Sequence, residues 1–286
     1  EMARLTKIAK PDTCVITNIG TCHLENLGDR DGVLKAKTEI FQSMKTNGHI
    51  VLNGDDDKLI TVREYNGVKR VFFGLNSERD VYADQIESKG LKGVACRIHL
   101  GEDAFDVLVP TPGIHMVYNA LAAAAVGRIY GLTIEEIRRG IESLETIRGR
   151  FKMIETDKFL VVDDCYNANP MSMKASLDVL HDGEGRRVAI LGDMGELGED
   201  EAALHEGVGI HAATCGIDAC VCVGDLAVHI AEAARKANPD FPVYYEKTRE
   251  SLLEHLNDYV QKGDTILVKA SHFMKFEEVV KALEEM

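Results

Sequence analysis

The chain has 286 residues, 45% of them apolar and 28% charged, and its formal net charge at pH 7 is −14. This length can hold two domains with separate cores, and the composition excludes a disordered or fibrous protein. The acidic balance argues against a nucleic-acid binder, because neutralising phosphates requires clustered lysine and arginine. The longest apolar runs, such as residues 120–126, are much shorter than the roughly 18 residues that span a bilayer, so we expect no membrane anchor.

The first half of the chain combines a few buried strands with helices. Three apolar runs predict strands, at residues 14–19, 49–52 and 70–73. Helices are predicted at 30–44, 116–130 and 134–143, and the last begins with Thr133 as a cap and Glu136 three residues later. Between them, residues 81–109 predict small antiparallel strands. We place a domain boundary near residue 147, which gives domains 1–147 and 148–286.

The second half alternates short strands with amphipathic helices. The strands are predicted at 159–163, 187–191, 219–223, 243–245 and 265–269. The helices are predicted at 171–181, 200–214, 226–237, 249–260 and 276–285. This alternation predicts an α/β fold with a doubly wound, Rossmann-like parallel sheet and right-handed crossovers.

The seven cysteines are odd in number and lie mostly in apolar runs, which predicts buried free thiols in a reducing cytoplasm. A zinc site at Cys215, Cys220 and Cys222 is disfavoured because no CxxC pair is present. No segment resembling a signal peptide follows Glu1. We therefore expect a cytoplasmic protein, and a monomer by default.

The most informative segment is Asp163-Asp164-Cys165-Tyr166-Asn167-Ala168-Asn169-Pro170, which follows an apolar run and precedes a predicted helix. Ligands of open α/β sheets bind outside the carboxyl ends of the strands, so these polar side chains are candidates for a binding site. The alternative is an acidic turn punctuated by asparagine and proline.

Four residues elsewhere are further candidates. His23 follows the first predicted strand, Lys37 lies on the first helix, and Asn119 lies early in the alanine-rich helix. Arg150 lies beside the domain boundary, where a guanidinium group could grip ribose or phosphate. Each also has a structural interpretation: a loop histidine, a solvated lysine, a helix cap and a surface charge.

Six segments between residues 17 and 198 occur in a specific order: TNIGTCHLENLG, KAKTEIF, YNALAAAA, RGRF, DDCYNANP and LGDMGELG. On these segments the chain resembles the Mur ligase family over essentially its whole length. The last two segments resemble the branch that adds D-alanyl-D-alanine to UDP-N-acetylmuramoyl tripeptide. The resemblance therefore implies a central ATPase domain followed by the C-terminal Mur ligase domain.

The resemblance implies an ATP-dependent amide ligase of peptidoglycan synthesis that works through an acyl phosphate. UDP-N-acetylmuramoyl tripeptide and D-alanyl-D-alanine would be its substrates, and ATP and Mg²⁺ its cofactors. On the family pattern Lys37 would be carbamylated and, with His23, would hold Mg²⁺ near the reacting groups.

The same resemblance implies a nucleotide site. Asn119 would contact adenine, and Arg150 and Asp164 would hold the nucleotide from the C-terminal domain. Tyr166 and Asn167 would line the same cleft, which domain closure would complete.

The sequence also departs from the family pattern. No phosphate-cradling GxxGK[ST] segment occurs anywhere in it, so the central domain is expected to be truncated and the chain alone to be inactive. Met116 replaces a usual asparagine. Residues 270–274 lack the usual glycine and arginine after Lys269, which leaves acceptor contacts of His272 open.

Two other classes of function stay open on the residues alone. One is a noncatalytic module, derived from a Mur ligase, that binds a nucleotide or peptide. The other is a nicotinamide-dependent oxidoreductase, suggested by the glycines at 192, 195 and 198 after a strand. Their spacing is not that of GxGxxG, which argues against the oxidoreductase.

Overall fold

The computed structural model describes residues 2–20, 27–63 and 65–286. The chain divides into two compact units, Glu1–Glu145 and Thr146–Met286. The sequence places the boundary near residue 147. Both units are α/β domains, as predicted, and each is built on a six-stranded sheet. Among the described residues, no helix has the length and apolar character needed to cross a membrane.

The first unit has a mixed sheet in which the strands follow one another in chain order. The strands are β1 (Thr13–Ile16), β2 (His49–Asn53), β3 (Arg70–Gly74), β4 (Val81–Ser88), β5 (Val94–Leu100) and β6 (Asp103–Val109). Strands β1 to β4 run parallel, while β4, β5 and β6 pair antiparallel. The antiparallel part predicted between residues 81 and 109 is thus present.

The helices of the first unit are α1 (Met2–Ala9), α2 (Arg30–Thr38), α3 (Ile114–Ile129) and α4 (Ile134–Glu142). Helix α4 begins with the predicted capping box, in which Thr133 Oγ1 accepts from Glu136 N–H and the Glu136 carboxylate accepts from Thr133 N–H. The alanine-rich α3 packs small side chains on the apolar face formed by strands β2 to β6. A second apolar cluster gathers Val33 of α2 and residues of β1 and β2.

Two predicted elements of this unit are shorter than expected. The first strand ends at Ile16 rather than residue 19, and Ile19 N–H donates to Asp56 Oδ2 at 2.7 Å instead of continuing the ladder. The first helix ends at Thr38 rather than residue 44 and continues as a 3₁₀ helix, Glu39–Ser43. Thr38 Oγ1 donates back to Leu34 O at 2.8 Å, a contact that commonly bends a helix.

The second unit has the predicted doubly wound parallel sheet with one additional strand. The strands are β7 (Lys152–Glu155), β8 (Leu160–Asp163), β9 (Arg187–Gly192), β10 (Ala219–Val223), β11 (Val243–Glu246) and β12 (Thr265–Lys269). Their spatial order is β11-β10-β9-β12-β8-β7, and only β7 runs antiparallel to its neighbour. Strand β7 is not predicted from the sequence, because its four residues, KMIE, carry too short an alternation to distinguish it from the linker.

The helices of the second unit are α5 (Pro170–His181), α6 (Glu201–Thr214), α7 (Ala227–Ala237), α8 (Arg249–Tyr259) and α9 (Glu277–Glu285). The chain steps along the sheet in one direction from β8 to β11 and then returns to β12. With right-handed crossovers, α5 to α7 therefore cover one face and α8 covers the other. Helix α9 shares the apolar cluster of α8, so it lies on the second face.

The cysteines in the described part of the chain are free thiols, as predicted: Cys14, Cys96, Cys165, Cys215, Cys220 and Cys222. All except Cys215 are buried. Cys220 and Cys222 point to the same face of β10, with their sulfur atoms 3.5 Å apart.

Candidate active site

Asp164 lies just beyond the carboxyl end of β8, and its carboxylate is held from three directions. Lys269 Nζ donates to Oδ2 at 2.5 Å, and Ser176 Oγ donates to the same oxygen at 2.8 Å. The N–H of Phe151 donates to Oδ1 at 3.2 Å. The lysine side chain is 3% exposed and that of Asp164 is 16% exposed. The start of the polar segment is therefore fixed in place.

The preceding carboxylate, Asp163, fixes the linker that enters this unit. Its Oδ2 accepts from Gly149 N–H at 2.8 Å, and its Oδ1 accepts from the Cys165 thiol at 3.1 Å. Burial, together with the hydrogen bond to this carboxylate, raises the pKa of Cys165. Gly149 has φ +76, and a Cβ there would lie 3.0 Å from Tyr166 Cβ. The two carboxylates thus hold residues 149–151 against the sheet edge.

Arg150 and Tyr166 form an exposed platform at the same edge. The guanidinium carbon of Arg150 lies 4.1 Å from the centre of the Tyr166 ring, a cation–π contact. The centre of the His272 ring is 5.3 Å from the centre of the Tyr166 ring. Tyr166 is 47% exposed. Tyr166 and His272 line a cavity of about 140 Å³ together with Asp163 and Glu277. A planar ring with a fixed guanidinium group suits a base, ribose or phosphate.

Asn167 completes this edge with its backbone rather than its side chain. Its carbonyl accepts from Lys269 Nζ at 3.2 Å, while its Oδ1 accepts from the N–H of the next residue, Ala168, at 2.9 Å. The residue is exposed. The structure therefore groups Arg150, Asp164, Tyr166 and Asn167, the four candidates of the second unit.

In the first unit, Asn119 lies on the first turns of α3, as predicted. The residue is exposed, and its Nδ2 contacts Met116 Sδ at 3.4 Å. Both side chains line a mainly apolar cavity of about 490 Å³ between α3 and α4. An amide at the rim of an apolar cavity can read the polar edge of a heterocycle.

Lys37 lies at the end of α2, and its Nζ donates to the carbonyl of Asn18 at 2.8 Å. This contact places the amine beside the segment that follows β1. His23, five residues further along the chain, lies outside the described residues. In the part of the chain that the structure describes, no three His, Cys, Asp or Glu side chains are grouped to hold a metal ion.

Two aspartates after β2, which are not among the candidates predicted from the sequence, organise the polar edge of the first unit. Asp55 accepts from Arg79 Nε at 3.0 Å and from the Tyr118 hydroxyl at 3.2 Å, and burial together with this carboxylate raises the pKa of Tyr118 to about 12. Asp56 fixes Ile19, which follows β1. The sequence feature that could have identified these aspartates is an acidic run just after an apolar strand.

Lys269 and Ser176 were also missed as partners of Asp164. A lysine at the end of a fully buried strand was the available signal, because a buried ammonium group requires a carboxylate partner. Ser176 carried no such signal, since a serine within a helix is usually solvated.

Two family models match the chain: the Mur ligase middle domain over residues 1–127 and the Mur ligase glutamate ligase domain over residues 149–272. They correspond to the two α/β units and define a protein built from ligase domains. The chain belongs to the Mur ligase family, which confirms the resemblance inferred from its motifs.

Its relatives include UDP-N-acetylmuramoyl-tripeptide–D-alanyl-D-alanine ligases. That of Bacillus subtilis is 35% identical over 288 residues, an alignment covering 100% of this chain and 62% of the relative. That of Escherichia coli is 34% identical, with 100% and 63% covered. The chain thus spans a little over three-fifths of the length of these relatives.

Solved structures of the same ligase resemble the chain along its whole length. A crystal structure of MurF from Acinetobacter baumannii has a TM-score of 0.89 and 31% identity, covering 100% of this chain and 62% of that one. MurF ligase from Thermotoga maritima in complex with ADP has a TM-score of 0.84 and 29% identity, covering 99% and 64%.

Proposed function

We propose that the chain forms part of an ATP-dependent amide ligase that joins D-alanyl-D-alanine to UDP-N-acetylmuramoyl tripeptide. The observation that carries this proposal is the similarity of the entire chain to ligases of that name, at 34–35% identity. ATP, when bound, supplies the phosphoryl group that converts the tripeptide carboxylate into an acyl phosphate, from which the dipeptide amine displaces phosphate.

The carboxyl edge of the second unit's sheet would contact the nucleotide. Its exposed platform of Arg150 and Tyr166 suits the ribose, and Asn167 borders the same edge. Asp164, which Lys269 and Ser176 hold in place, would orient this edge and offer its remaining exposed carboxylate surface to the ligand. In the first unit, Asn119 would read adenine at the rim of its apolar cavity.

The chemistry of these residues fits the nucleoside end of ATP better than the triphosphate. Backbone N–H groups of a glycine-rich loop and its lysine usually cradle the phosphates, and no GxxGK[ST] segment occurs in the sequence. We therefore propose that these 286 residues alone do not turn over ATP.

Mg²⁺ binding by carbamylated Lys37 with His23 stays a prediction. The Lys37 amine contacts the carbonyl of Asn18, and His23 lies outside the described residues. A cytoplasmic location and a monomeric state likewise stay predictions.

A chimaera tests the proposed function. We would fuse the part of the Bacillus subtilis ligase that precedes its match to this chain in front of Met2, and measure phosphate release with ATP, Mg²⁺ and the UDP-linked tripeptide. We expect release that depends on D-alanyl-D-alanine, and none from the 286 residues alone. A folded chimaera that binds ADP but shows no such release would favour a noncatalytic binding module. Release by the chain alone would refute the proposed inactivity.

A further inference from the structure

Asparagine followed by glycine occurs three times in the chain, each time in the first unit: Asn47-Gly48, Asn53-Gly54 and Asn66-Gly67. An asparagine side chain can be attacked by the backbone nitrogen of the next residue, and glycine hinders this attack least because it has no Cβ. The attack requires a nitrogen that no hydrogen bond holds and space in which the chain can bend back on the side chain. The three pairs differ in both respects.

Hydrogen bonds hold the glycine nitrogen in two of the pairs. Gly48 N–H donates to Lys45 O at 3.0 Å, and Gly54 N–H donates to Phe73 O at 2.7 Å. Each of these bonds must break before the nitrogen can attack the neighbouring side chain, and breaking a backbone hydrogen bond costs free energy.

The same two glycines are also closely surrounded. A Cβ on Gly48 would lie 2.5 Å from Asp12 O, and a Cβ on Gly54 would lie 2.6 Å from Arg79 Cδ. Asn53 is itself only 8% exposed. Neither pair therefore has the space in which a ring can close.

Gly67 differs from these two glycines in both respects. Its N–H donates to none of the residues that the structure describes, and a Cβ on it would meet nothing within 4 Å. Asn66 and Gly67 are exposed and form a two-residue turn, with φ +49 and +75. A backbone hydrogen bond from Val68 N–H to Tyr65 O, at 2.9 Å, closes the turn. An exposed turn closed in this way opens at low cost.

We propose that Asn66 is a site of spontaneous deamidation through a cyclic imide. The Gly67 nitrogen forms a bond to Asn66 Cγ, and its proton passes through water to the side-chain nitrogen, which leaves as ammonia. Water then opens the ring at either of its two carbonyl groups. Opening at the side-chain carbonyl gives aspartate. Opening at the main-chain carbonyl gives isoaspartate, in which the backbone continues through the former side chain.

Both products change the turn. Each adds a negative charge to a chain whose formal net charge is already −14, and isoaspartate also lengthens the backbone by one carbon. The residues that flank the turn pack in the first unit: Val68 is 4% exposed, and the centre of the Tyr65 ring lies 5.7 Å from that of Phe41. A longer turn disturbs both contacts, so the isoaspartate form should unfold at a lower temperature than the aspartate form.

The test follows deamidation by peptide mass spectrometry in the native 286-residue chain and in the chain unfolded in guanidinium chloride, both in mildly alkaline buffer. Trypsin releases Asn66 in residues 64–69 and the other two asparagines in residues 46–58, where fragment ions separate them. In the unfolded chain all three should react at similar rates. In the native chain Asn66 should keep that rate, and the other two should react about tenfold more slowly or less, because a hydrogen bond must first break.

Two variants are the controls. Asn66→Asp supplies the chromatographic standard for aspartate, so that isoaspartate is recognised as the second product of the same mass. Asn66→Gln should stay unmodified, because its longer side chain would have to close a larger ring. Equal native rates at the three asparagines would overturn the inference, as would an Asn66 that reacts only in guanidinium chloride. Aspartate as the sole product would refute the cyclic imide.

Discussion

Lys269 and Asp164 are 105 residues apart in the chain and form a buried ion pair across the neighbouring strands β12 and β8, with Nζ 2.5 Å from Oδ2. The same ammonium group also donates to the carbonyl of Asn167. One lysine therefore ties the beginning and the middle of the polar segment to the central strand of the sheet.

Removing this lysine should destabilise the second unit. Lys269→Met would leave the Asp164 carboxylate buried without its cation, which costs about 3–5 kcal/mol in comparable pairs. Urea unfolding would measure the loss. The matched control is Lys281→Met, whose pair with Glu285 has both side chains at least 67% exposed and should matter little. Equal unfolding midpoints for the two variants would contradict the stabilising role of Lys269.

Gly149 and Gly140 should respond in opposite ways to alanine. Gly149→Ala places a Cβ at positive φ and 3.0 Å from Tyr166, so we expect a loss of at least about 1–2 kcal/mol. Gly140 lies within α4, where a Cβ would point into open space, so Gly140→Ala should gain about 0.5–1 kcal/mol from helix propensity. Thermal unfolding of each variant is the measurement, and a shared direction would contradict this interpretation.

Acidification should destabilise the protein through His205. Burial lowers the pKa of this imidazole from its ordinary 6.5, an effect that nearby His229 reinforces and that Asp193 and Glu201 oppose. Above about pH 6.5 the side chain is largely neutral in both states. As the pH falls below that value, the unfolded state takes up the proton first, so stability is lost until the native pKa is passed.

The difference between the parent and His205→Gln isolates this contribution. Between about pH 7.5 and about pH 5.5, the unfolding free energy should fall less in the variant than in the parent, because the variant has no imidazole to titrate at this position. His181→Gln is the control, because the His181 side chain is 52% exposed. An identical pH dependence in His205→Gln and the parent would show that His205 does not titrate on unfolding.

The buried thiols should be unreactive in the native protein. Burial raises the pKa of Cys14 and of Cys96 to about 11 and raises that of Cys165 further, so the thiolate is scarce at neutral pH. Iodoacetamide labelling at about pH 7.5, followed by peptide mass spectrometry, should find these three residues unmodified until urea is added. Labelling of native Cys165 at the rate seen in urea would refute the prediction.

The local elements and the polar strand end could be predicted from the sequence, whereas their partners could not. Residues 159–163 are recognisable as a strand because an apolar run ends in carboxylates, and periodicity predicts the helices in the same way. The partner of Asp164 depends on which strand lies beside β8. That neighbour is β12, the last of the strands in chain order, and no local pattern encodes this arrangement.

Partners that are distant in the chain also limit what the sequence can predict about the first unit. The sequence predicts a strand from residue 14, but its end at Ile16 depends on Asp56, 37 residues after Ile19, accepting the N–H of Ile19. Asn119 could be selected because it lies on a recognisable helix. The apolar cavity beside Asn119 could not be predicted, because the cavity arises from the packing of α3 against α4.

The central position of β12 also bears on biosynthesis. Strands β9 and β8 lie on either side of it, so the sheet of the second unit has a gap in its middle until residues 265–269 have been translated. During synthesis this unit can form only separate halves, and it closes once the last of its strands has left the ribosome. A ribosome that stops just before residue 265 would therefore release a polypeptide that holds every other strand of this sheet but lacks its centre.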